Sequence, residues 1–195
     1  MEETKEIKKE TKEEQKEETL AESAWDLLKT FMVCMILVSL FVNFVARPIR
    51  VQGSSMYPTL TSNALGFANV YGKKFGKLER FDIAIIFLKD KKEYLVKRVI
   101  GLPGETVQYS NGTLQVNGKT IEEPFLDTPY RDNWGDGFME EVSPVTLGEG
   151  EYFCLGDNRP SSRDSRYYGA FTDDQIIAKG AFIFFPFSEF GVKSW

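Results

Sequence analysis

The 195 residues hold 24 Lys plus Arg, 29 Asp plus Glu, two Cys and no His, for a formal charge of −5. Without imidazole there is no Ser-His-Asp triad, no Cys-His pair and no His-ligated zinc or copper, so acid–base chemistry falls to Lys, Asp, Glu, Tyr or Cys. Nine Glu and five Lys in the first 22 residues account for −4 of the charge, and the nearly neutral remainder lacks the basic excess that a nucleic-acid partner requires.

Residues 1–22 alternate Glu and Lys with almost no large apolar side chain, the pattern of a solvated helix or a disordered tail. From Leu27 to Ala46 the only charge is Lys29, in the first turn. Twenty residues of helix make about 30 Å, the thickness of a hydrocarbon core. Lys29 can snorkel and Trp25 stands where an interfacial aromatic belongs. A cleaved leader would carry a short basic flank, whereas this flank is long and acidic, so residues 23–46 are read as a permanent transmembrane anchor. Lys5, Lys8, Lys9, Lys12, Lys16 and Lys29 precede the apolar run or lie at its start, against Arg47 and Arg50 after it. The positive-inside rule then puts the 1–22 tail in the cytoplasm and residues 47–195 outside, as an extracytoplasmic domain on a single-pass anchor in the cell membrane.

Beyond the anchor the chain is mainly β. Short apolar or alternating runs at 80–88, 93–101, 113–118, 151–156 and 176–187 are separated by Gly, Pro and Asn-Gly punctuation. Asn111-Gly112 and Asn117-Gly118 are tight-turn signals six residues apart. No stretch outside the anchor has helical periodicity. Phe125 to Pro144 is poor in β-branched residues and rich in turn formers, which predicts an irregular stretch within a small insertion around 107–150. Cys34 in the apolar run and Cys154 in a strand read as packed thiols rather than a disulfide framework. Phe182, Phe184, Phe185, Phe187 and Phe190 fit a β-core in the first half of the stretch and an outer-leaflet contact in the second.

Three clusters carry candidate chemistry, and each has a plain structural reading beside the functional one. In VQGSSMYPTL (51–60) a Gly-Ser-Ser before a proline turn exposes a hydroxyl on a bent backbone whose amides can face an oxyanion; most such tracts are simply loops. In EYLVKRVIG (93–101) strand alternation sends Lys97, between Leu95 and Val99, to one face and Arg98 to the other. If the Lys97 face is core, desolvation lowers its pKa and yields a neutral amine able to act as a general base; at a sheet edge the lysine would only snorkel. LGDNRPSSRDSRYYG (155–169) is a dense polar loop flanked by apolar strand, a solvated turn or a site. Two other matches fail: Gly118-Lys119-Thr120 lacks the first glycine and the helix of a phosphate loop, and the acidic residues around Asp132, Asp136 and Glu140 lack the calcium-loop register. No metal or other cofactor is implied.

Taken in order and spacing, an anchor, Ser-Met-x-Pro-Thr-Leu, Lys-Arg-Val-Ile-Gly-Leu-Pro-Gly-Glu and Gly-Asp-Asn-Arg-x-x-Ser-x-Asp-Ser-Arg resemble bacterial type I signal peptidase, from the anchor to about Phe187. The resemblance implies a signal-peptidase/LexA-like β-fold and a Ser/Lys serine endopeptidase that removes signal peptides. Its substrates would be exported preproteins with small residues, typically Ala, at the first and third positions before the cut, and its surroundings the lipid bilayer. It implies Ser55 as nucleophile and Lys97 as general base, Ser162 as the hydroxyl that orients the lysine, and Asp157, Asp164 and Arg166 with Arg98 as a supporting charge network. The Ser55 amide is the implied oxyanion donor. Many Gram-negative relatives have a serine two places before the nucleophile to complete the hole; here that place is Gly53, the Gram-positive pattern, which leaves the second donor unassigned. Pro160 replaces an acidic residue common in the third motif. Two alternatives share features with this reading. A Ser/Lys self-cleaving repressor would carry a DNA-binding half in place of an anchor, and a catalytically silent assembly factor for surface structures would have lost the serine or the lysine.

Overall fold

The computed structural model describes the backbone of residues 3–126 and 128–193 and the side chains from residue 22 onward. The chain divides into two compact units, Met1–Asn43 and Phe44–Trp195. The first is helical: α1 runs Glu3–Phe44. Within it Glu22–Phe44, 23 residues of mean hydropathy 2.1, is long and apolar enough to cross a membrane, and its large side chains, Leu27 to Phe41, stand exposed. Lys29 pairs with Asp26 at 3.2 Å and lies over the Trp25 ring, which gathers the polar groups at one end of the apolar run.

The second unit is built from antiparallel strands: β1 (Ala46–Arg50), β2 (Leu65–Asn69), β3 (Ile83–Leu88), β4 (Glu93–Gly101), β5 (Thr106–Ser110), β6 (Thr113–Val116), β7 (Lys119–Thr120), β8 (Val142–Thr146), β9 (Glu151–Leu155), β10 (Phe171–Thr172), β11 (Ile176–Lys179), β12 (Ala181–Phe185) and β13 (Gly191–Lys193). They form three sheets, ordered β1-β2-β12-β13, β10-β9-β4-β3-β11 and β7-β6-β5-β8. The five-stranded sheet is covered on both faces, so β3 and β4 read as near-continuous apolar runs. On one face Ala84, Ile86, Val99 and Cys154 pack with Phe171 and Ile176. On the other, Ile83 and Val96 meet Val51, Met56, Ala181 and Ile183, with Ile100 and Leu155 joining the core under the third sheet. Both Asn-Gly pairs form two-residue hairpin turns, Ser110 opposite Thr113 and Val116 opposite Lys119, with positive φ at each Asn and Gly, as a type I′ turn requires.

Several expectations change. The run 176–187 is two strands in two sheets: the chain passes between them at Gly180, whose φ of +69° favours glycine, and whose N–H reaches Ile83 O at 2.6 Å. A short helix, α2 (Val70–Phe75), appears where no periodicity foretold it. Six residues are too few to show a period, and the turn is held by the Asn69 side chain accepting from Gly72 N. The irregular stretch after Phe125 holds a one-turn helix, α3 (Pro129–Asp132), capped by Thr128, and ends sooner than Pro144, because Val142 already pairs with Tyr109. The phenylalanines of 182–190 do not fill a β-core: alternation buries Ala181 and Ile183 and leaves all five rings exposed, from 38% to 81%.

Candidate active site

The turn that carries Ser55 is pinned from both sides. Val51, Met56 and Leu60 are buried in one cluster, Val51 N donates to Ala64 O at 2.8 Å, and Tyr57 N donates to Ser54 O at 3.0 Å. Gln52 to Ser54 are left exposed and Ser55 half-buried. Gly53 adopts φ +84°, and a Cβ there would meet nothing, so the backbone and not space selects the glycine. The Ser55 N–H makes no hydrogen bond among the described residues.

Lys97 lies on β4 opposite Ala84, only 2% exposed, on the face it shares with Leu95, Val99 and Cys154. Its ammonium forms no ion pair or hydrogen bond among the described residues. Desolvation by burial lowers its pKa to about 8, outweighing the opposing pull of Asp164. Asp164 cannot hold the ammonium as a close partner because its carboxylate is already engaged: Arg166 approaches both oxygens at 2.9 Å and Gly156 N donates at 3.1 Å. Burial would raise the Asp164 pKa, and Arg166 more than reverses that, holding it below the usual carboxylate range.

Gly156 is where the three clusters meet. The β4–β9 register pairs Arg98 with Leu155 and Val99 with Cys154, so Gly156 directly follows the partner of the residue next to Lys97. A Cβ on Gly156 would collide with Ser55 O and Ser162 Oγ, so glycine is required by close approach. Ser162 Oγ is buried and close enough to Asp164 to help lower its pKa, yet it makes no hydrogen bond among the described residues. A buried hydroxyl without a partner is costly and asks for a reason.

The expected charge network resolves into separate pairs, Asp164–Arg166 near Lys97 and Arg98–Asp157 on the other face of β4. Arg98 is fully buried and grips Asp157 with Nε and Nη2 at 2.8 and 2.6 Å, donates to Phe81 O, and stacks 4.1 Å from the Phe125 ring. Thr59 Oγ1 also donates to Asp157, at 2.5 Å, tying the turn of Ser55 to this pair. Two residues that received no role from the sequence are equally committed. Arg159, 1% exposed, donates to Gly156 O, Tyr109 OH and Glu123. Asn158 donates from its backbone to Ser55 O and from its side chain to Ser54 O. Both stand in the Gly-Asp-Asn-Arg motif, which was the available signal; Glu123 and Tyr130, which complete their contacts, had none. No group of three or more Cys, Asp and Glu able to hold a metal ion occurs among the described residues.

The family model for signal peptidase, peptidase S26, matches residues 24–185. The chain belongs to this family. Signal peptidase I T of Bacillus subtilis is 40% identical over 164 residues, covering 83% of this chain and 85% of that one. Signal peptidase IB of Staphylococcus aureus is 38% identical over 168 residues, covering 81% and 87%. The crystal structure of a signal peptidase I from Enterococcus faecalis is 35% identical and covers 53% of this chain and 96% of that one, at a TM-score of 0.49. The S26 match spans the Ser55 turn, Lys97 and the 156–166 loop alike, and with them the apolar helix from residue 24.

Proposed function

We propose that this S26 peptidase removes signal peptides from exported preproteins with Ser55 as nucleophile and Lys97 as general base. The observation that carries the reading is the convergence of the Ser55 backbone and the Ser162 hydroxyl on Gly156, where β9 leaves its pairing with β4 beside the buried Lys97. Neutral Lys97 takes the proton of Ser55 Oγ as that oxygen attacks the scissile carbonyl, and the resulting ammonium passes it to the leaving amine, which frees the C-terminal fragment. A water then attacks the Ser55 ester, again giving its proton to Lys97, and the signal peptide leaves as the acid while Oγ is reprotonated. The free Ser55 N–H faces the developing oxyanion. Ser162 orients the Lys97 amine, a role that accounts for a hydroxyl otherwise left without a partner. Gly53 contributes backbone shape and no hydroxyl, so the second oxyanion donor is not its side chain. Arg98, Asp157, Asp164 and Arg166 hold the frame.

Substrates carry small residues at the first and third positions before the cut and are presented at the bilayer in which residues 23–46 are anchored, with 1–22 cytoplasmic and 47–195, including the 107–150 insertion, outside. The test is to incubate detergent-solubilised protein with a preprotein, map the cut by mass spectrometry, and repeat with Ser55→Ala and Lys97→Ala. Both variants are expected to lose cleavage. Processing that survives Ser55→Ala sinks the mechanism.

A further inference from the structure

Both carbonyls of the Ser54–Ser55 segment are tied to one residue. Asn158 N donates to Ser55 O at 3.0 Å and Asn158 Nδ2 to Ser54 O at 3.0 Å. Across a trans peptide the C=O and the following N–H point in opposite directions. Holding Ser54 O on Asn158 therefore turns the Ser55 N–H away from Asn158, into the position where it makes no hydrogen bond among the described residues. Asn158 is itself held: Tyr130 OH donates to its Oδ1 at 2.9 Å. Ser54 O can only accept, so it selects the NH₂ end of the Asn158 amide and leaves Oδ1 to the phenol, and a reversed amide would set two carbonyl oxygens against each other. Tyr130 belongs to α3, in the irregular stretch after Phe125, and its ring meets the Tyr57 ring edge-on at 4.8 Å, two residues beyond Ser55.

We infer that Tyr130 and Asn158 are positioning residues that aim the Ser55 N–H at the oxyanion. A segment outside the three motifs thereby contributes to rate without touching the substrate. The inference rests on the Ser/Lys reading above. Neither residue is among the charges that set the Lys97 pKa, so their loss should leave the base unaltered.

The test uses the full chain in detergent micelles, a fluorogenic cleavage-site peptide, and Tyr130→Phe and Asn158→Ala beside Ser55→Ala. Tyr130→Phe keeps the ring and removes only the hydroxyl, so kcat should fall about tenfold. Asn158→Ala should cost about a hundredfold. In both, KM should stay within about twofold and the acid limb of the pH–rate profile should not move, because ground-state binding and the base are untouched. The affinity for a peptide boronate, which forms a tetrahedral adduct on the serine, should weaken with kcat while that for the product peptide holds. A Tyr130→Phe enzyme with wild-type kcat, a loss confined to KM, or a shifted acid limb overturns the inference, provided Ser55→Ala is dead. A Ser55→Ala enzyme that still cleaves overturns the Ser/Lys reading and this inference with it.

Discussion

Asp164, Arg166, Glu93 and Asp157 all act on the charge of Lys97, and desolvation by burial decides the balance, bringing its pKa to about 8. With Lys97 as the proposed base, catalysis needs the neutral amine, so kcat/KM should rise about tenfold per pH unit below that value and level off above it. A flat profile between pH 6 and 9 would count against a lysine base. The same burial affects stability with a definite sign. Between about pH 8 and 10.5 the folded state binds fewer protons at Lys97 than the unfolded chain, so stability rises with pH through that window and the penalty is complete below it. Asp164 works in the same direction in the acid range: its pKa is depressed, so its contribution is present above the ordinary carboxylate value and is lost as pH falls through the folded one. Gly156 offers a purely steric test. Gly156→Ala places a methyl against Ser55 O and Ser162 Oγ, so the turn must shift, and cleavage should drop at least about a hundredfold, since a displacement near 1 Å costs that much. Wild-type turnover in Gly156→Ala would contradict the convergence.

At the scale of elements, β4 presents its two basic residues to opposite faces and gives them opposite fates. Lys97 is left without an ion pair, while Arg98 is paired, hydrogen-bonded and stacked. Asp157→Ala removes one half of a fully buried pair and should destabilise the domain by about 3–5 kcal/mol, read as a loss in thermal or denaturant midpoint. It should also loosen the turn of Ser55 through Thr59, so activity should fall even well below the midpoint. An Asp157→Ala enzyme as stable as the parent would remove Arg98–Asp157 from the frame. Strand β4 and both Asn-Gly hairpins were legible because a period of two and a two-residue turn are local signals. The break at Gly180 was not, since a glycine between apolar runs looks the same whether a strand bends or changes sheet; what decides is that Ile83 O and Asn69 N–H both bond to it. The Val70–Phe75 helix was hidden for a related reason, being made by one cap rather than by a buried stripe.

At the scale of the molecule, the absence of histidine and the concentration of negative charge in the first 22 residues describe a neutral peptidase domain behind an apolar helix and a charged tail. If the lysines hold that tail in the cytoplasm, protease added to intact spheroplasts should digest residues 47–195 and spare an epitope at the N-terminus; protection of the domain instead would invert the topology. The sequence by itself determined that no imidazole serves and, through its three motifs, that the chain is a signal peptidase of the S26 family, and it determined the apolar span, since composition and length are properties of the chain alone. Only the tertiary structure decided that Lys97 is desolvated, because burial depends on the segments packed over its face of β4, and that Asp164 is paired with Arg166 instead. It alone also brought Tyr130 to Asn158 and Asn158 to Ser54, as contacts between residues 28 and 104 positions apart leave no local trace in the order of side chains.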